Sequence, residues 1–115
     1  MRQLRVWIVL GVFVLATALG GSALAARSTT SVSVKASEFK FALSTKSVKA
    51  GKVIFTIKNA GKLPHDFKIG GKKTPLIKPG KSAKLTVTLK KGKAAYLCTV
   101  AGHAAAGMKG TLTVK

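Results

Sequence analysis

The chain has 115 residues, and its 21 Lys and Arg side chains outnumber two acidic ones, giving a formal net charge of +19. This length allows one small domain and excludes a multidomain enzyme. Hydrophobic residues make up 47%, which is too many for a disordered basic tail. Because Glu38 and Asp66 are the only acidic residues, general acid/base catalysis by paired carboxylates is also disfavoured.

The N-terminal segment has the pattern of an export signal. Arg2 and Arg5 provide a positive start, and residues 6–19 form an apolar run without charge. Residues 23–25 (Ala-Leu-Ala) then form a small-x-small cleavage site. We therefore predict that residues 1–25 are an export signal peptide.

Residues 26–115 are predicted to be the folded domain that remains after export. A retained membrane anchor is the alternative, because residues 6–26 carry no charge and about 20 such residues can span a bilayer. In both cases we expect the domain outside the cytoplasmic membrane, in the periplasm, the cell envelope or the extracellular medium.

The remainder of the chain has the pattern of short strands separated by turns. Polar and apolar residues alternate in residues 31–35 (continuing through 38–41), 52–58 and 84–89. Residues 65–69, 94–99 and 111–115 are predicted as further short strands. Turn signals such as Pro79-Gly80 fall between these segments, and none of them has the period of a long amphipathic helix. The pattern predicts an all-β fold, an antiparallel Greek-key β-sandwich of about seven strands.

Four residues near the C-terminal half carry the types of side chain that bind metals. The chain contains two His, one Cys and one Met besides the initiator, namely His65, His103, Cys98 and Met108. The last three follow a C-x4-H-x4-M spacing on one segment. Two imidazoles, a thiolate and a weak thioether are the ligands of a blue-copper electron-transfer site. Zinc gains little from Met, and structural zinc sites prefer more thiolates.

Each of these residues also has an ordinary explanation. A single Cys is often a buried core thiol, Met often fills the core, and either His could be incidental. A catalytic Cys–His pair is a further alternative, but it needs an orienting third group. The metal hypothesis explains all four together, and it explains why Cys98 has no disulfide partner although exported proteins usually pair their cysteines.

The segment Tyr96 to Gly110 resembles the ligand loop of the cupredoxins, small blue copper proteins such as plastocyanin, azurin and rusticyanin. The resemblance continues upstream through residues 38–41, 48–51, 53–55, 59 and 64–66, and it covers nearly all of the domain. It implies one copper per chain, cycling between Cu(I) and Cu(II), with these ligands: His65, Cys98, His103 and Met108.

The resemblance also implies a function and a role for Asp66. We expect a one-electron carrier and no enzyme activity; the alternative is a protein that stores or delivers copper in the cell envelope. Cupredoxins often have Asn or Ser where this chain has Asp66, and that residue joins the ligand loops. Asp66 is therefore expected to accept a hydrogen bond from the backbone N–H of Thr99.

The distribution of charge suggests how the protein meets its partners. No residue from Thr99 to Met108 is charged, and the family resemblance implies that electrons pass through such an apolar surface near His103. Residues 26–115 keep 19 basic and two acidic side chains, a net charge of +17. We expect a monomer with an acidic redox partner, or attraction to an anionic membrane or cell-wall surface. We expect no nucleic-acid binding.

Overall fold

The computed structural model describes residues 29–115, so the predicted signal peptide or anchor lies outside the described residues and stays a prediction. Within this part of the chain, no helix is long and apolar enough to cross a membrane. The described residues form nine strands: β1 (Thr30–Ser37), β2 (Lys40–Leu43), β3 (Ser47–Val48), β4 (Gly51–Asn59), β5 (Lys68–Ile69), β6 (Lys72–Lys73), β7 (Ser82–Leu89), β8 (Gly92–Leu97) and β9 (Lys109–Val114).

The strands form two sheets that pack face to face. One sheet has the order β2-β1-β4-β7, and the other has the order β3-β9-β8-β5-β6. The core between them consists of buried apolar side chains from both sheets, including Val34, Phe55, Phe67, Ile69 and Leu112. The predicted all-β sandwich is therefore confirmed.

Strand β4 shows why the alternating pattern produces this fold. Its apolar residues Val53, Phe55 and Ile57 are fully buried, whereas Lys52 and Lys58 on either side of them are exposed. Since successive side chains of a strand point to opposite faces, one face of β4 packs on the core and the other faces solvent. The β-branched and aromatic residues also favour the extended backbone.

The sandwich differs from the prediction in two details. Strands β1 and β4 pair in parallel, and so do β3 and β9, so the sandwich is mixed and not purely antiparallel. The chain crosses between the sheets from β2 to β3 and back to β4, and β4 therefore arrives beside β1 in the same direction. The strand count exceeds seven because β3 and β6, of two residues each, are too short to show alternation.

The segment after β1 also differs from the expected pattern. The alternation was expected to continue through residues 38–41, but the chain turns at Glu38 and Phe39 before β2 returns antiparallel to β1. Likewise, the predicted strand at 65–69 is reduced to β5, and His65 makes only an isolated bridge to Ile77. Both departures lie at the same end of the sandwich, because Glu38 contacts His65 there.

Candidate metal centre

Three of the four predicted ligands meet at this end of the sandwich. Nδ1 of His65 lies 3.1 Å from Nδ1 of His103, and the Sγ of Cys98 lies 4.0 Å and 3.6 Å from these two atoms. His65 and Cys98 are completely buried, and His103 is 8% exposed. The three side chains therefore direct one ligand atom each toward a common point that is almost closed to solvent.

The backbone of the loop between β8 and β9 positions two of these ligands and Met108. Cys98 follows β8 directly, and its N–H donates to the carbonyl of Met108 at 3.1 Å, which closes the base of the loop. The N–H of Met108 in turn donates to the carbonyl of His103 at 3.1 Å. Gly102 and Gly107 have φ angles of 83° and 118°, which favour glycine and allow the chain to turn on either side of His103.

Met108 is fully buried next to the cluster, with its backbone bonded to both Cys98 and His103. This position agrees with a role as axial ligand. That it binds the metal stays a prediction, as do the roles of the other three residues.

Asp66 joins the two loops that carry the ligands, as expected from the sequence. Its Oδ1 accepts from the Thr99 N–H at 2.6 Å, and its Oδ2 accepts from the Thr99 hydroxyl at 2.5 Å. The Asp66 N–H also points at the Sγ of Cys98, 3.5 Å away. Asp66 therefore fixes the loop that follows Cys98 relative to the segment that contains His65.

The surroundings of Cys98 disfavour a free thiolate. Burial raises the pKa of the Cys98 thiol, and the negative charge of Asp66 raises it further, whereas the N–H groups of Asp66 and Val100 act in the opposite direction. The metal-free side chain is thus a neutral thiol at neutral pH. A cation at the common point would supply the charge that stabilises the thiolate.

One carboxylate that the sequence did not predict as a site residue contacts a predicted ligand. Oε2 of Glu38 lies 2.6 Å from Nε2 of His65, and its Oε1 accepts from the Lys62 N–H at 2.7 Å. These two bonds lower the pKa of Glu38, the one from Lys62 more strongly. Only two acidic residues occur in a chain of such positive charge, and that scarcity could have marked Glu38 as a functional candidate.

Phe39 and Asn59 were also overlooked. The ring of Phe39, 37% exposed, packs edge-on against His103 with the ring centroids 5.0 Å apart. The buried amide of Asn59 donates to the carbonyls of Leu63 and Ile77 and accepts from the Gly61 N–H, each at 2.8 Å. Asn59 thereby holds the loop before His65, a role that the family resemblance at residue 59 had not specified.

The convergent atoms fit a soft metal ion. Zinc, a useful guide to size, binds imidazole nitrogen at about 2.0–2.1 Å and thiolate sulfur at about 2.3 Å. The three separations of 3.1, 3.6 and 4.0 Å are each shorter than the sum of two such bonds, so one ion can contact all three atoms. Two nitrogens and one thiolate, with a thioether nearby, match copper better than zinc.

Comparisons with known proteins agree with this geometry. Residues 7–114 match the family described as the cupredoxin-like domain. The chain belongs to the cupredoxin family. A curated relative of this cupredoxin is the copper-resistant cuproprotein CopI of Pseudomonas aeruginosa, which is 30% identical; the alignment covers 85% of this chain and 83% of the relative.

Solved structures similar to this cupredoxin include three auracyanins. Auracyanin of Roseiflexus castenholzii has 23% identity and a TM-score of 0.61, covering 77% of this chain and 98% of its own. Auracyanin B has 24% identity and a TM-score of 0.64, with coverages of 76% and 88%. Auracyanin A of Chloroflexus aurantiacus, a blue copper protein, has 19% identity and a TM-score of 0.63, with coverages of 76% and 100%. At these identities the likeness establishes the fold. Together with the buried cluster, the family makes the ligand set of this cupredoxin consistent with a single type 1 copper.

Proposed function

We propose that this cupredoxin is an exported one-electron carrier that binds one copper ion through two histidines, one cysteine and one methionine. The observation that carries the proposal is the convergence of two imidazole nitrogens and one thiol sulfur, all within 4.0 Å, in a buried site. The proposed ligands are His65, Cys98, His103 and Met108. Bound copper would supply the Cu(I)/Cu(II) couple.

The residues around the site suit electron transfer. The loops that carry the ligands are held by the two sheets, by the hydrogen bond that Asp66 accepts from Thr99 and by the one that Asn59 donates to Leu63, so the arrangement can change little between oxidation states. Because the proposed set fills the coordination sites and leaves none for a substrate, the geometry suits a carrier and not an enzyme.

The surface near His103 suits brief contact with another redox protein. The large apolar side chains that are exposed in residues 29–115 are Phe39, Leu63 and Leu76. Phe39 packs on His103, and the other two lie in sequence close to His65 and its bridge partner Ile77. Small, exposed, uncharged residues lie next to His65 and on either side of His103 in the sequence, namely Pro64, Ala101, Gly102, Ala105, Ala106 and Gly107. We propose the surface formed by these uncharged residues as the docking surface, because weak redox encounters use small interfaces.

The lysines around the proposed docking surface would govern the approach of the partner. Within residues 29–115 the carboxylates of Glu38 and Asp66 contact His65 and Thr99, so no lysine there is paired with an acidic side chain. We propose an acidic redox partner, with an anionic membrane or cell-wall surface as a second target of the same charge. Oxidation of the reduced protein by anionic hexacyanoferrate should slow as salt rises, since screening shortens the Debye length to about 10 Å at 0.1 M. A rate independent of salt would contradict this steering.

The test of the proposed function is a Cu(II) titration of the purified protein, followed by visible absorption. We expect an intense blue colour that saturates at one copper per chain and bleaches reversibly with ascorbate. Cys98→Ser should lack the colour, because the thiolate produces it. Stoichiometric binding without that colour, or no binding, would contradict the carrier proposal.

Copper storage or delivery is a second candidate, favoured by the 30% identity to a copper-resistant cuproprotein. The same ligands would serve it, but the metal would have to leave. Exchange of bound copper with a chelator separates the two functions. A carrier retains its copper through many redox cycles, whereas a delivery protein releases it to the chelator within the time of the assay.

A further inference from the structure

Glu38 is bonded to the proposed copper site although it contributes no ligand atom. Its carboxylate lies in the turn between β1 and β2 and bridges two partners, the backbone N–H of Lys62 and Nε2 of His65. The His65 side chain is completely buried, while the Glu38 side chain is 25% exposed. The carboxylate therefore closes the site from outside, on the side of the imidazole that faces away from Cys98.

This contact determines which nitrogen of His65 can bind a metal. A carboxylate accepts hydrogen bonds and cannot donate them, so the proton of a neutral His65 is held on Nε2. Nδ1 is then unprotonated and its lone pair points toward the site, since Nδ1 is the atom that lies 3.1 Å from its counterpart in His103. Without the carboxylate, the imidazole could place its proton on either nitrogen or rotate.

The absence of a side chain at Gly61 is a second observation which indicates that the sequence favours this position of the Glu38 carboxylate. A Cβ at Gly61 would overlap Oε2 of Glu38 and lie 2.8 Å from its Cδ. The φ of Gly61 is not positive, so the backbone conformation alone does not demand glycine there. The Gly61 N–H is also fixed by Oδ1 of Asn59 at 2.8 Å. The space that the carboxylate needs is therefore kept open by a residue without a side chain.

The negative charge of Glu38 is placed where it can act on the metal. The chain has 18 lysines among residues 29–115, yet Glu38 pairs with the imidazole and not with an ammonium group. Charges near a buried ion shift the balance between its oxidation states, and an added negative charge favours the more positive ion. The expected direction is stabilisation of Cu(II) over Cu(I).

We propose that Glu38 is a positioning residue for the copper site, holding His65 with Nδ1 unprotonated and aimed at the metal and lowering the reduction potential of the bound copper. Gly61 provides the space for it. This inference rests on the proposed copper function. The redox step involved is the gain or loss of one electron by copper, with no bond made or broken by Glu38.

Two variants test the inference by different routes. Glu38→Gln removes the charge and leaves one oxygen for two N–H donors, whereas Gly61→Ala keeps the carboxylate but displaces it. Both should lower Cu(II) affinity by about 10–100-fold, the usual effect of losing the partner of a metal-binding His. Glu38→Gln should also raise the reduction potential. Lys62→Gln is the matched control, because the backbone N–H of residue 62 and not its exposed side chain holds Glu38.

A measurement on the metal-free protein separates this inference from the proposed function. Long-range 1H–15N NMR should show the Nε2–H form of His65 in the wild type and in Lys62→Gln, and a mixture of forms in Glu38→Gln. If the wild type gives no blue copper, the proposed function fails together with the effect on potential, while the NMR result still decides whether Glu38 holds His65. If the wild type is blue and both variants keep its affinity, potential and His65 form, the inference is overturned. Lower thermal stability with those three properties unchanged would make Glu38 merely structural, and it would also overturn the inference.

Discussion

The body of the sandwich, meaning the two sheets and the core between them, and its metal end, meaning the loops that carry His65, Cys98, His103 and Met108, depend on different interactions. In the body, strands such as β4 bury apolar side chains on one face and expose lysine on the other. At the metal end, residues 99–108 are uncharged, and both acidic side chains of the chain are bonded within the site. Burial of apolar area can stabilise the body without metal, whereas the geometry of the site depends on a few hydrogen bonds between loops.

The largest effect on stability is expected from a substitution in the core of the body, away from the metal end. Phe55 is fully buried and packs on Phe67 with ring centroids 5.2 Å apart. Phe55→Ala should lower the free energy of unfolding by about 3–5 kcal/mol, through lost burial and a residual cavity. Chemical denaturation of the metal-free protein measures this loss.

The matched control is Thr56→Ala, on the opposite face of the same strand, which should change stability by less than about 0.5 kcal/mol. In the folded fraction of Phe55→Ala we expect the copper spectrum of the wild type. A changed spectrum would show that the body and the metal end are coupled through Phe67, contrary to the comparison.

A smaller effect is expected from cutting one link at the metal end. Asp66→Ala leaves the Thr99 N–H without its acceptor, which should reduce stability by about 1–3 kcal/mol. Asp66→Asn should lose much less, because its oxygen can accept from the N–H while its amide donates to the Thr99 hydroxyl. The free energy of unfolding of both variants, measured by chemical denaturation, separates the contribution of the Asp66 hydrogen bonds from that of its negative charge. Equal losses would mean that the negative charge of Asp66, and not its hydrogen bonds, joins the loops.

The body was predictable from the sequence where alternation extends over several residues. Strands β4 and β7 occupy the expected segments, because one buried face repeats every second residue. The parallel pairing of β1 with β4 was not predictable, since alternation specifies a face and not a neighbour. The turn at Glu38 was missed because Phe39 and Phe41 kept the apolar pattern across it.

At the metal end, the types of side chain predicted more than the alternation of polar and apolar residues did. The meeting of His65, Cys98 and His103 could be predicted because these rare side chains share a preference for the same metal. Glu38 was missed because its bond to His65 joins residues 27 positions apart, and nothing local signals that contact. The hydrogen bonds of Asn59 were not predicted either, since its partners Leu63 and Ile77 meet only after the loops have folded.

The pH dependence of copper binding is expected to report on the metal end alone. Burial raises the pKa of the Cys98 thiol, so the metal-free protein holds that proton at neutral pH and must release it to bind copper. Below this pKa, each unit of falling pH should weaken the apparent affinity about tenfold for that one proton. Titration with Cu(II) in weak buffer measures the protons released. Cys98→Ser should release one fewer, and equal release would show that the thiol is not a ligand.

The smallest effect on stability is expected from a pair of lysines on the solvent-facing side of the body. Lys35 and Lys58 are direct partners in the parallel register of β1 and β4, and both are exposed. Like charges that face each other across strands destabilise a sheet, and an opposite pair contributes roughly 0.2–1 kcal/mol. Lys58→Glu should therefore stabilise the metal-free protein by about that amount, and the gain should shrink in high salt because the pair is exposed to solvent.

Lys52→Glu is the matched control for this pair. It makes the same change of charge on the same strand, but Lys52 faces Thr88 on β7 and no lysine is in register with it. A larger gain at position 58 than at position 52 would assign the effect to the lysine pair. Equal gains would instead show that the net positive charge of the whole protein, and not the lysine pair, opposes folding.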